Sequence, residues 1–266
     1  MKKLYAVFVL YLCIQTSNAQ FGFNSYYQFS TSAMPQLKIA NGCGIDMFSS
    51  IKKSKYSLGI SYSMGVYGYK HEPLEFITSD GTTLSTFIDV TNSFQNVSFY
   101  QRYSFGTFSG ILRPFIDARL GWNFFRTVLV IEDPEDESSC EALVKDVLHN
   151  SNNWAVYGGG GVDVKLNGLI FKDNYIEGNS GCYFTLTFGY ALGGTVSYMN
   201  VDGNAIVSGP HNGTHQHDTE GNTTITPYYT PFINTQTQVV HEHHTGYVYT
   251  SPVRMFQVSA GFTLKF

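Results

Sequence analysis

In the segment Phe256–Phe266 every even position is apolar and every odd one is small or polar. The even set is Phe256, Val258, Ala260, Phe262, Leu264 and Phe266; the odd set is Gln257, Ser259, Gly261, Thr263 and Lys265. A helix repeats every 3.6 residues and cannot sort side chains by parity, whereas a strand repeats every two. The same alternation runs through Tyr56–Val66, Leu112–Phe124, Phe184–Leu192 and, across the glycine run Gly158–Gly161, through Trp154–Leu166. Fainter versions occupy Phe21–Phe29, Leu37–Ile51 and Asn96–Phe105. A change of parity over Phe94–Val97 reads as a bulge or a frayed start. About eight strands follow, near 21–30, 37–51, 55–69, 93–105, 111–126, 154–166, 182–198 and 253–266, each long enough for a bilayer crossing of ~9–11 tilted residues.

Alternation alone does not say which face is wet. A soluble sandwich turns its apolar face to a shared core and its Lys, Glu, Thr and Gln to water. Here the non-apolar face is mostly Gly, Ser, Thr and Ala, which suits a crowded interior, and the apolar face carries large aromatics and almost no charge, which suits lipid. Charged residues make up only 14% of the chain, against roughly 25% in a soluble domain. The mean hydropathy of −0.10 nevertheless excludes a bundle of apolar helices. A net charge of −4 argues against a nucleic-acid partner.

The first residues read as an address. Lys2 and Lys3 precede the apolar run Leu4–Ile14, and Ser17-Asn18-Ala19 is a small-x-small cleavage site, so residues 1–19 are expected to be removed as a signal peptide. An acylated Cys13 is the competing reading, opposed by Tyr11 and Leu12 where that signal takes small residues. The mature barrel is then expected over residues 20–266. Connections alternate in length. Lys52–Lys55 and Gly106–Gly110 are tight, whereas long surface loops are expected near 70–92, 127–153 and 199–252. Asn167–Gly181 is longer than that scheme prefers. An even strand number puts both termini on the short-turn, periplasmic side. Trp122, Phe124 and Trp154 then mark an outer aromatic girdle, and Tyr56, Tyr103, Phe105 and Phe266 an inner one.

With the signal peptide, Leu112-Arg113-Pro114-Phe115 leading to Gly121, the run Tyr157-Gly158-Gly159-Gly160-Gly161-Val162-Asp163 and the closing strand Gln257–Phe266, the chain resembles small outer-membrane β-barrels of the OmpA-like/PorT-like class of Gram-negative bacteria. The resemblance implies an all-β, antiparallel, up-and-down transmembrane barrel with long extracellular loops. It also implies residence in the outer membrane among its lipids and delivery to the barrel-assembly machinery through the strand ending at Phe266. It carries no catalytic signature, and fold predicts location better than activity.

On inward faces fall Asp46, Arg102, Arg113, Asp117, Arg119, Asp163, Lys165 and Lys265. In a barrel of about eight strands, side chains can fill the interior, so these mixed charges are expected to pair as a plug, the alternative being a narrow polar channel. The 199–252 stretch holds His211, His215, His217, His241, His243 and His244 beside Asp218, Glu220 and Glu242. Their irregular spacing favours a solvated loop over a metal site. The 127–153 stretch carries Glu132, Asp133, Glu135, Asp136 and Glu137, which lack the glycine and terminal glutamate of a calcium loop. Ser138-Ser139-Cys140-Glu141 resembles a capping box ahead of a short helix over Ala142–Leu148. Cys43 and Cys182 fall on apolar faces and Cys140 in a loop, an odd set without a disulfide spacing. His71, Ser93, His149 and Ser151 are rim residues that a lipid-modifying enzyme would draw on, but none sits in a motif.

No catalytic, cofactor or metal residue is therefore assigned. The expected function is that of a non-enzymatic outer-membrane barrel. It would hold surface loops against an external ligand or another envelope protein, with a place in a larger complex. A small-solute channel is the alternative, followed by a lipid-modifying enzyme and metal capture by the histidine loop.

Overall fold

The structure, a computed structural model, describes residues 19–32, 34, 37, 39–51, 55–77, 83–106, 111–132, 142–166, 181–200, 218–220, 223–233 and 240–265. Among the described residues ten antiparallel strands follow one another: β1 Ala19–Ser32, β2 Ile39–Ile51, β3 Tyr56–Ile77, β4 Thr83–Ser104, β5 Leu112–Glu132, β6 Ala142–Lys165, β7 Gly181–Asn200, β8 Asp218–Glu220, β9 Thr223–Ile233 and β10 Val240–Lys265. Seven pair in sequence order, β7 pairs with β10, and β10 returns to β1, so eight strands close a ring. Closure leaves no edge in the wall, the condition for strands to cross a bilayer. The fold is an up-and-down transmembrane β-barrel.

The register fixes the tilt. From Gly22 the pairing steps through Phe48, Gly59, Tyr100, Arg119, Tyr157, Ala191 and Met255 and comes back to β1 at Ser32, ten residues farther along. With eight strands, a stagger of that size sets the tilt to roughly 40°. The outward face carries the apolar residues. Phe99 is 63% exposed and Phe262 and Met47 57%, while Asp46 and Asp163 inside are at 0%. Such an inverted molecule is stable only with lipid around it.

The two aromatic rims stand where the parity placed them. At the end bearing the termini, Tyr56 and Tyr103 meet at 4.9 Å and Tyr103 and Phe105 at 5.3 Å. Toward the opposite, far end, Trp122 and Trp154 are register partners on β5 and β6, both pointing outward. Pro114, whose carbonyl accepts from the Phe105 amide, lies ten residues below Phe124 on β5. At ~3.3 Å per residue and a tilt near 40°, that spans about 25 Å along the axis, the height of an apolar band.

Several expectations change. The stretches 70–92 and 127–153 are mostly hairpin, with β3–β4 paired out to Ile77↔Thr83 and β5–β6 out to Glu132↔Ala142. Ala142–Leu148 is strand and not helix. Val144 pairs with Ile131 and Val147 with Val128, and two turns of isolated helix cannot compete with a ladder of β-branched pairs. The 199–252 stretch is not irregular throughout. It contains β8, β9 and the first half of β10, and β9 joins β10 at Val240–Thr250, beyond the part of β10 that pairs with β1. β4 has no bulge over Phe94–Val97, where its register with β5 is unbroken. Phe94 is simply an inward aromatic, and the irregularity lies on β3 between Val66 and Gly68, across from Ser93 and Asn92.

Residues 1–18 of the expected signal peptide 1–19, the acidic run 133–141 with Cys140, His211–His217 and Phe266 lie outside the described residues, as do most of the turns at the terminal end. His241, His243 and His244 belong to β10, and Asp218 and Glu220 to β8. Cys43 and Cys182 face outward on β2 and β7.

Candidate functional site

The lumen is built in two layers. The layer nearer the termini is ionic. Lys265 on β10 bonds Asp163 on β6 at 3.1 Å, and Asp163 faces Arg102 on β4 at 3.7 Å. Arg102 reaches Asp117 on β5 at 3.6 Å, Asp117 reaches Arg119 at 3.3 Å, and Arg119 reaches Asp46 on β2 at 3.6 Å. Three cations and three carboxylates thus alternate in one neutral chain, none of whose side chains is more than 12% exposed. Removing charge from water is costly, and each member offsets that cost only through its neighbours. Neutral groups complete the set. Asn24 donates to Asp46 at 3.0 Å, Thr185 to Asp163 at 2.8 Å and Arg119 to Ser61 at 3.0 Å.

Aromatic faces fill the space between these charges. Arg102 lies 3.6 Å from the Phe115 centroid, Arg119 5.1 Å from that of Tyr157 and Lys265 4.5 Å from that of Tyr183, positions in which ring quadrupoles attract cations. The inward glycines make room for such rings. A Cβ on Gly189 would strike the Tyr157 ring and one on Gly44 the Tyr26 ring, so alanine at either site would displace an aromatic. Six of the eight expected interior charges belong to this chain. Arg113 and Lys165 are half-buried nearer the terminal end.

The layer nearer the far end is apolar. Tyr67, Phe94, Phe125, Tyr198 and Tyr249 form a continuous aromatic cluster with Met34, Leu37, Val253 and Met255. Phe125 sits 6.1 Å from both Tyr67 and Tyr198, and Tyr198 stacks on Tyr249 at 5.7 Å. Phe125 and Tyr198 are both at 0% exposure. Met34 and Leu37, from the connection between β1 and β2, are inserted from above. Between the layers lies a polar cavity of about 20 Å³ lined by Ser63, Asn96, Arg119, Asn123 and Tyr157 among others, room for about one water.

The end of β7 closes the mouth. Its ladder with β6 stops at Ala155↔Gly193, although both strands continue. Beyond that point the Met199 carbonyl accepts from Tyr67 on β3 at 3.0 Å and lies 3.5 Å from Thr127 on β5. β7 therefore leans across the barrel, and the seam it leaves is spanned by side chains. Asn153 donates to the Thr195 carbonyl, Ser151 to the Ser197 carbonyl, and His149 Nε2 is 3.1 Å from Ser197 Oγ.

The rim residues do not assemble into catalytic machinery. His71 meets Asp89 at 2.6 Å on the outer face of β3–β4, stacked on Phe87 at 4.5 Å. His149 meets Ser197 across the β6–β7 seam. Ser93 donates to the Arg126 carbonyl at 3.2 Å. These pairs stand on different parts of the wall, and no Ser–His–acid triad forms from the four. No cluster of three metal-ligating side chains occurs among the described residues. The inward aromatics were the residues that strand parity did not assign. One signal for them exists: in Phe124-Phe125 two adjacent strand positions must face opposite ways, so one of the two rings had to point inward.

No protein-family model matches the sequence, and no curated protein is significantly similar to it. Several solved structures are similar in shape, among them the following three. Neisserial surface protein A is 14% identical, with 94% of this chain and 97% of that one covered and a TM-score of 0.41. Ail, the attachment invasion locus protein of Yersinia pestis, solved with the heparin analogue sucrose octasulfate, is 9% identical with 93% and 97% covered and a TM-score of 0.33. The outer membrane protease OmpT of Escherichia coli is 8% identical with 93% and 96% covered and a TM-score of 0.26.

Proposed function

We propose that this chain is an integral outer-membrane β-barrel without catalytic activity. Its far-end strand extensions and loops would be held against an external ligand or another envelope protein, as one subunit of a larger outer-membrane complex. The observation that carries the reading is the doubly sealed lumen, ionic below and aromatic above. A barrel built to conduct has no use for two closures. A barrel built to present its far end benefits from a rigid core beneath it. The β3–β4, β5–β6 and β9–β10 hairpins all run on past the far aromatic girdle, which supports a surface role for that end.

In this orientation both termini are periplasmic, the far end is extracellular, and the closing strand β10 is the element read by the assembly machinery. The lipid-facing wall supports outer-membrane residence. A native pull-down from gently solubilised outer membrane tests the presentation role: the account expects a stoichiometric envelope partner lost on deletion of residues 201–239. Failure to fractionate with the outer membrane, together with absence of heat-modifiable migration, would end the reading. Altered lipid A or phospholipid on overexpression, abolished by His149→Ala, would replace it with an enzyme.

A further inference from the structure

The ionic layer uses each of its arginines twice, Arg102 on Asp117 and Asp163, Arg119 on Asp46 and Asp117. Arg126 is different. It lies on the outward face of β5, two residues beyond Phe124 and four beyond Trp122, and makes no ion pair among the described residues. Its neighbours across the ladders are Ser93 on β4 and Asn150 on β6. Around it is a surface groove of about 370 Å³ lined by Gln95, Phe124, Arg126, Val147 and Asn150. None of the five is acidic, and one is a cation.

We infer that this groove is a binding site for the phosphate of an anionic lipid headgroup in the leaflet around the far end. The inference rests on the membrane orientation proposed above. Height places the groove at the boundary between hydrocarbon and headgroups, since Trp122, Phe124 and Trp154 form the girdle directly below it. Its chemistry is graded in the same direction. Phe124 and Val147 offer an apolar floor for the first methylenes, and the Arg126 guanidinium presents a fork that matches two phosphate oxygens. The Gln95 and Asn150 amides offer donors and acceptors to hydroxyl or amide groups beside the phosphate. The volume exceeds that of a phosphate alone. A zwitterionic headgroup would bring an ammonium for which the lining supplies no carboxylate, so a purely anionic headgroup is the complementary occupant. Arg254, the outward cation on β10, stands on another part of the wall and serves as the comparison.

The test is native mass spectrometry of the full chain, folded in detergent and mixed with defined lipids: phosphorylated lipid A, its dephosphorylated form and phosphatidylethanolamine. The phosphorylated lipid is expected to be retained about tenfold more than the other two, with the preference falling as salt rises. Arg126→Gln should abolish the preference, Arg126→Lys should restore part of it, and Arg254→Gln should leave it unchanged. Heat-modifiable migration confirms that each variant is folded, so loss of lipid preference in a folded barrel is separable from failure of the barrel itself. Equal retention by wild type and Arg126→Gln would overturn the inference. So would full displacement of the lipid by millimolar inorganic phosphate, which would identify a site for free anion and not for lipid.

Discussion

The two layers of the lumen close the same tube by opposite chemistry. Near the termini, six charges from β2, β4, β5, β6 and β10 alternate in a chain, and every member depends on partners contributed by other strands. Near the far end, rings from β3, β4, β5, β7 and β10 fill the space by area and shape. The ionic layer specifies which strands stand opposite one another, because an alternative register leaves a carboxylate or guanidinium buried alone. The aromatic layer tolerates changes in detail and gains its stability from burial. The layers should therefore fail differently when cut.

The largest effect is expected from Asp163→Ala. It leaves Lys265 and part of Arg102 without a counter-charge at a site with no exposure, and removing one member of a buried pair costs about 3–5 kcal/mol. Urea unfolding in lipid or detergent micelles measures it. A loss under 1 kcal/mol would mean that water reaches this layer and that the ionic seal is open. Next comes Phe125→Ala, expected to cost about 3 kcal/mol as an apolar cavity while leaving the lumen closed, because the ionic layer below is intact. Tyr67→Phe should cost only about 1 kcal/mol, the hydroxyl's bond to the Met199 carbonyl. An effect as large as that of Phe125→Ala would show that β7 is held across the mouth by this bond more than by ring packing.

The smallest effect concerns pH at the seam. Burial holds the His149 imidazole below its ordinary pKa of 6.5, so the folded seam binds fewer protons than the unfolded chain. The stability it contributes is present above about 6.5 and is lost as pH falls through that value toward the folded pKa. Hydrogen-exchange protection factors at 194–200, with the intrinsic pH dependence of exchange divided out, should fall on acidification in the wild type and stay flat in His149→Asn. A flat wild-type profile would remove His149 from the account of the seam.

The layers also differ in how far the sequence discloses them. Each charge of the ionic layer sits at an inward parity among small residues, so Asp46, Arg102, Asp117, Arg119, Asp163 and Lys265 were all placed inside by counting in twos. What counting did not supply is their pairing, which depends on a ten-residue stagger that only the closed ring defines. The aromatic layer was hidden because a ring at an inward position has the same composition as a ring facing lipid. The change of parity over Phe94–Val97 masks Phe94, and Tyr67 lies at an inward position one residue beyond the alternation that ends at Val66. Met34 and Leu37 come from a connection that has no parity at all. The helix expected over Ala142–Leu148 failed for a related reason. A capping signal is local, and the β5 residues Val128–Ile131 offer that segment a ladder. The Arg126 groove was invisible in sequence, since its five residues come from three strands.

The central claim is that both layers seal the barrel, and conductance of the purified full chain in a planar bilayer tests it most directly. The account predicts silence from the wild type, and silence again from Phe125→Ala with the ionic layer still in place. Steady, ohmic open steps from the wild-type protein would contradict it and make the chain a channel.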